Sequence, residues 1–228
     1  MARGCSFLPL FGMVNGAQLA LWRMMAAGRN DHFARLTRIS GNCLMSETLN
    51  TGQGDLIPAW INGLLTPVEK LDVHRRGLKH KAVSVFVLDD DKVLVQQRAA
   101  SKYHTPLLWA NTCCTHPNWT EEPADCAVRR LNDELGIRGL TPVHCDQVEY
   151  RAPVGNGLIE HEVVEIFVAQ ARPDLVVEPN PDEVAVVKWV EFDELCADVE
   201  RQPENYTPWL RIYLGEYRTR IFTSMTRS

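Results

Sequence analysis

The sequence has no run approaching ~18 uninterrupted apolar residues, which excludes a helical membrane span. It has no basic excess: 24 Lys and Arg face 29 Asp and Glu, a formal net charge of −5. That excludes a global field for nucleic acid, so an anionic ligand needs a local basic cluster. Cysteine is sparse and odd in number, seven in 228 residues. This reads as reduced thiols in a cytoplasmic compartment, not a disulfide scaffold. Internal repeats and low-complexity tracts are also lacking. What remains is an ordinary globular composition, 45% apolar and 23% charged. It suffices for one large domain and excludes coiled coil, collagen and whole-chain disorder.

Residues 1–44 stand apart, with five Arg, no Lys and one acid, Asp31. Their apolar stretch is broken by Pro9, Gly12, Asn15 and Gln18, which fits a secretory signal poorly. An Arg-rich targeting peptide fits the composition. The plainer reading is a poorly ordered extension outside the mature protein, with Met45 as a start and no catalytic group before it. Residues 45–228 then form the folded domain.

From Asp55 the pattern is α/β. The run AVSVFVL (82–88), an Asp triplet and VLVQQR (93–98) predict a hairpin. PADCAVRRLNDELG (123–136) predicts a helix. Pro123 sits in its first turn, Gly136 at its end, and Ala127, Leu131 and Leu135 form one apolar stripe. A Gly-Asn-Gly turn at 155–157 precedes a strand, LIEHEVVEIFVAQA (158–171). Another strand (184–192) runs into FDELCADVE, a helix. A last helix is expected to start with Thr207 as cap and Pro208 as first residue.

The chemistry-bearing residues form four groups. In a strand, Glu160 and Glu162 share one face and His161 points to the other. Two adjacent carboxylates repel unless a cation or shared proton relieves them. Alone the triplet reads as a solvated polar face, but its apolar neighbours favour a bound cation. His74, His80 and His116, each unremarkable singly, would join the carboxylates in a three-His, two-Glu site for Mn²⁺ or Zn²⁺. In NTCCTHP (111–117), an extended chain puts Cys114 and His116 on one face and Cys113 on the other. A lone Cys is usually a small buried hydrophobe, whereas a thiol beside such a site is a proton donor or acceptor. Lys70, Arg98, Lys102 and Arg130 would hold a diphosphate if they converge. The Arg130–Glu134 spacing also fits a plain i,i+4 ion pair.

These segments occur in a familiar order. EKLDVHRRGLKHKAVSVFVL, QQRAASKYHTPLLWANTCCTHP, AVRRLNDELGI, EYRAPVGNGLIEHEVVEIF and YTPWLRIY resemble the type 1 isopentenyl-diphosphate isomerases of the Nudix superfamily, from about Leu56 to about Leu214. The Nudix pattern G-x5-E-x7-R-E-U-x-E-E-x-G-U falls on Thr115, Glu121, Arg129, Arg130, Leu131, Asp133, Glu134, Gly136 and Ile137. Thr115, Arg130 and Asp133 depart from it. The loss of paired acids speaks against pyrophosphate hydrolysis, the main rival reading. A non-catalytic ligand binder is the other rival, and every matched catalytic position is filled.

The resemblance implies a Nudix-like mixed β-sheet sandwiched between helices, α/β in class. It implies interconversion of isopentenyl and dimethylallyl diphosphate by a 1,3 proton shift. His74, His80, His116, Glu160 and Glu162 match ligands of a divalent ion, Mn²⁺ or Zn²⁺ or Mg²⁺. Cys114 and Glu162 match the catalytic thiol and carboxylate, and Tyr150 a tyrosine that assists proton transfer. Glu134 matches the ligand of a Mg²⁺ arriving with the diphosphate. Lys70, Arg98, Lys102 and Arg130 match diphosphate contacts, and Trp209 an indole over the reacting carbons. On this reading Glu162 and Tyr150 donate first and Cys114 is the later base. The substrate is a small molecule, without nucleic-acid or membrane partners, and the protein is a cytoplasmic monomer or weak homo-oligomer.

Overall fold

The computed structural model describes residues 55–222. The expected extension at 1–44 and the start at Met45 lie outside them. In chain order the elements are β1 (Leu56–Ile61), β2 (Leu64–Glu69), α1 (Lys70–Arg76), β3 (Lys79–Asp89), β4 (Lys92–Arg98), β5 (Trp109–Ala110), β6 (Cys113–Thr115), α2 (Pro123–Leu135), β7 (Val143–Gly155), β8 (Leu158–Gln170), β9 (Val184–Glu191), α3 (Phe192–Arg201), α4 (Pro208–Glu216) and α5 (Arg218–Ile221).

The strands form one mixed sheet. At its centre β3 and β8 pair in parallel, from Lys79 opposite His161 to Leu88 opposite Gln170. All other pairings are antiparallel: β3 with β1, β4 and β6, β8 with β7, β4 with β5 and β9, and β1 with β2. Strand β3 is apolar on both faces because both are covered, so it reads as a continuous run. Ala82, Phe86 and Leu88 face α3, α4 and α5, packing with Leu195, Leu210, Tyr213 and Phe222. Val83, Val85 and Val87 face α2, against Ala127, Leu131 and Leu135. The helix–sheet–helix sandwich expected from the sequence is thereby present. Full burial of each large apolar side chain contributes roughly 1.5–3 kcal/mol.

Helix α2 runs as expected and ends on Gly136, at φ 65°. A Cβ there would meet Glu178 Cβ at 2.9 Å and its carbonyl oxygen at 3.0 Å, so glycine is required twice over. Three local differences emerge. The β1–β2 hairpin and α1 were not foreseen. Helix α1 spans seven residues, stopped by Glu69 at its start and left-handed Gly77 at its end, too short for a periodic signal. Thr207 precedes α4 as expected, yet its hydroxyl makes no cap bond; its backbone N–H donates to Trp109 O at 2.9 Å instead. Helix α4 is also followed by another short helix, α5.

Candidate active site

Three parts of the chain bring the three histidines together. His74 comes from α1, His80 from the start of β3, and His116 follows β6. Ring centroids lie 5.0 Å (His74–His80), 5.1 Å (His74–His116) and 5.0 Å (His80–His116) apart, a near-equilateral triangle. His74 Nδ1 is 2.6 Å from Lys70 O and His80 Nδ1 is 2.7 Å from Leu78 O. A carbonyl only accepts, so both Nδ1 atoms carry the proton and both Nε2 atoms offer a lone pair. The fourth member is Glu162 of β8. Its Oε1 lies 2.9 Å from His116 Nε2 and 3.5 Å from His80 Nε2.

The register explains the carboxylates. Glu160 and Glu162 sit on the buried face of β8, while His161 turns outward to Glu149 at 3.0 Å. Tyr150 of β7 lies opposite Glu162 and reaches both acids, 2.8 Å to Glu160 Oε2 and 2.7 Å to Glu162 Oε2. A phenol has one proton, so a second proton must sit on this trio. Burial and the charge of Glu162 push Glu160 well above the ordinary carboxylate range. Burial also works on Glu162, but the His116 hydrogen bond, with the His80 ring beside it, overcomes it and holds Glu162 low. Environment thus drives the two acids apart.

The site fits a divalent ion. Ligating atoms of His74, His80, His116 and Glu162 all lie within 4.8 Å of one another. His74 Nε2 is buried with no hydrogen-bond partner, a lone pair that a cation satisfies. Burial lowers His74 to about 4 against the pull of the Lys70 carbonyl, and lowers His116 despite Glu162, so both rings are neutral as ligands must be. Glu160 does not join this foursome directly. It groups with His74 and His104, a residue the sequence reading missed.

Cys114 and Cys113 divide as β6 alternation requires. Cys113 lies in the α2-side core, and Cys114 lines the cleft. Ser84, opposite Cys114 in register, donates to its sulfur at 3.2 Å and shares a 3.0 Å contact with the Tyr213 hydroxyl. Burial, with the Glu162 and Glu160 charges, pushes the Cys114 thiol up; the Ser84 bond opposes them.

Lys70, Arg98, Lys102 and Arg130 all line the same cleft as Cys114, Glu160, Glu162 and Trp209. Burial, then the charges of Lys102 and Arg130, lower Lys70. Lys102 pairs with Glu183, and Arg130 with Glu134 at 2.7 Å and Glu183 at 3.4 Å. Arg98 spends two donors on its own loop, at Thr105 O (3.1 Å) and His104 O (3.2 Å), and lies 5.2 Å over the Trp209 ring. The indole donates to Asn111 Oδ1 at 3.1 Å. Glu134 Oε2 accepts from Gln96 at 3.1 Å. Asp133, the other acid of the pattern, turns to the surface beside Arg129. Glu121 grips Arg129 with two bonds of 2.6 and 2.7 Å. Ser84 was the one visible clue among the missed residues, a hydroxyl inside the otherwise apolar run 82–88; His104, Asn111, Gln96 and Glu183 had none.

Sheet, helix pattern and site define a member of the Nudix class in which, of the pattern's acids, Glu134 lines the cleft while Glu121 and Asp133 turn to Arg129. Residues 78–210 match the NUDIX domain. The isopentenyl-diphosphate Delta-isomerase of Dinoroseobacter shibae is 66% identical over 174 residues, 76% of this chain and 99% of that protein. Those of Roseobacter denitrificans and Ruegeria pomeroyi are 64% and 56% identical, over 73% and 74% of this chain and 95% and 94% of theirs. A solved Deinococcus radiodurans protein shares the fold, with TM-score 0.55 and 13% identity, over 70% of this chain and 96% of its own. The chain belongs to the type 1 isopentenyl-diphosphate Delta-isomerase family.

Proposed function

We propose that this cleft interconverts isopentenyl diphosphate and dimethylallyl diphosphate, with Cys114 and Glu162 as the two proton-handling groups. The observation that carries this reading is their shared cleft: a thiol and a histidine-tethered carboxylate line it with one indole and four basic side chains.

Protonation of the terminal alkene carbon makes a tertiary carbocation, and loss of a C2 proton makes the allylic product. One proton enters and one leaves. In the forward direction the Glu162–Tyr150 side donates, and Cys114 as thiolate accepts the C2 proton while Ser84 donates to its sulfur. The reverse direction starts from a Cys114 thiol and an ionised Glu162, the state burial and the histidines favour in the free protein. One proton transfer separates the two starting states. Trp209 contributes about 2 kcal/mol to a desolvated cation held near its ring. Exclusion of water keeps the cation from becoming an alcohol.

His74, His80, His116, Glu160 and Glu162 would hold the resident ion, Mn²⁺ or Zn²⁺ or Mg²⁺, and Glu134 a Mg²⁺ bound with the diphosphate. When bound, the resident ion supplies positive charge that steadies ionised Glu162. Lys70, Arg98, Lys102 and Arg130 bind the diphosphate. Among the described residues no helix is long and apolar enough to cross a membrane. We assign the protein to the cytoplasm, as a monomer or weak homo-oligomer. The test is incubation with isopentenyl diphosphate and Mg²⁺ followed by assay for acid-labile allylic product; its absence overturns the reading.

A further inference from the structure

His104 lies between β4 and β5 and is 5% exposed. Its ring stacks on His74, with centroids 5.6 Å apart and planes at 25°. Its Nδ1 is engaged by Thr105 Oγ1 at 3.0 Å, which leaves Nε2, 3.7 Å from Glu160 Oε1. That is too long for a hydrogen bond. It is ordinary for two donors on one ion, since ligands at about 2.1 Å lie roughly 3 to 4.2 Å apart. The ligating atoms of His104, His74 and Glu160 fall within 4.8 Å of one another. His74 has only Nε2 to give, because Nδ1 donates to Lys70 O. It cannot serve two ions, so both overlapping donor groups can be filled only by sharing one.

The loop is built to deliver this ring. Thr105 and Leu107 adopt φ of 45° and 60°, left-handed values that are costly for any residue with a Cβ and most for β-branched Thr. Arg98 clamps the loop through the carbonyls of His104 and Thr105, and Asn156 holds Tyr103 O at 3.1 Å. Such strain persists where the surroundings impose it, and it clusters at functional sites.

We propose that His104 is a sixth protein donor to the resident divalent ion, so that four imidazoles and two carboxylates close its coordination shell. A closed shell leaves no position for water or substrate, unlike metal sites that keep one open. The ion then acts through its field alone, and no metal-bound water lies beside the carbocation. The proposal rests on the reading that His74, His80, His116, Glu160 and Glu162 bind a cation.

The test loads the full chain with one equivalent of Mn²⁺, without diphosphate, and records electron paramagnetic resonance in ¹⁷O-water beside a Mn²⁺ titration. The wild type should show no ¹⁷O broadening. His104→Ala and His104→Gln should gain broadening from one exchangeable water and bind Mn²⁺ about tenfold more weakly or worse. Broadening in the wild type equal to that of the variants, or unchanged affinity, overturns the sixth donor and leaves the five-residue site standing. Failure of the wild type to bind Mn²⁺ overturns both. If neither variant folds, the wild-type water count alone decides.

Discussion

Ser84 is a hydroxyl in the otherwise apolar run 82–88 of β3, and its donation to Cys114 Sγ gives it a task. Ser84→Ala leaves the sulfur without that donor, and kcat should fall about tenfold with KM little changed, as for a bond made to the reacting group rather than to substrate. Steady-state kinetics across a substrate series check this. Cys114→Ala should abolish isomerisation in a protein with wild-type circular dichroism, while Cys113→Ala should be mild in turnover, because Cys113 belongs to the opposite core. Near-normal turnover in the Cys114 variant would remove it from the chemistry. Trp209→Phe should keep more activity than Trp209→Ala, and equal losses would argue against a ring acting on a cation. Alternation in a strand made the division of Cys113 from Cys114 and of Glu160 from His161 legible in advance. His104 was illegible because one imidazole in an irregular loop has neither period nor spacing.

Helix α2 is fixed at both ends by contacts that can be titrated or replaced. At its C-terminal end Gly136→Ala combines a left-handed φ with a clash against Glu178, and should destabilise by about 1–3 kcal/mol, read as a lower denaturant midpoint. Near its start, Arg129 bonds hold Glu121 below its usual 4.5 against slight burial. A depressed folded-state value means that the stabilisation is full above the unfolded value and lost as pH falls through the folded one. The acid limb of the stability curve should therefore flatten below about pH 4.5 in Glu121→Gln. An unchanged limb would assign acid sensitivity elsewhere. The long elements were readable because their periods are strong: β3, β8, α2 and the β9–α3 junction fall where the pattern put them. The β1–β2 hairpin and α1 were not, since a seven-residue helix offers too few turns for an apolar stripe and β2 carries Pro67 with exposed Leu64.

At the scale of the molecule, an ion held by His74, His80, His116 and Glu162 would tie α1, β3, β8 and the segment after β6 together. Chelation should lower the thermal midpoint as well as stop turnover, and one equivalent of Mn²⁺ should restore both; an ion at a hundredfold its Kd stabilises by about 2.7 kcal/mol. A midpoint indifferent to chelator would separate the ion from the fold. The overall sandwich was legible because chemistry-bearing segments kept their order along the chain, whereas the closing of donors around His74 arises only in three dimensions. The ten-residue parallel match of β3 with β8 has a last consequence. Side chains in a strand change sides at every step, so sliding β8 by one residue would present Ile159 and His161 inward and expel both acids together. No half-assembled catalyst exists between those two alignments: evolution can tune this enzyme by substitution, but an insertion or deletion within the strand switches it off outright.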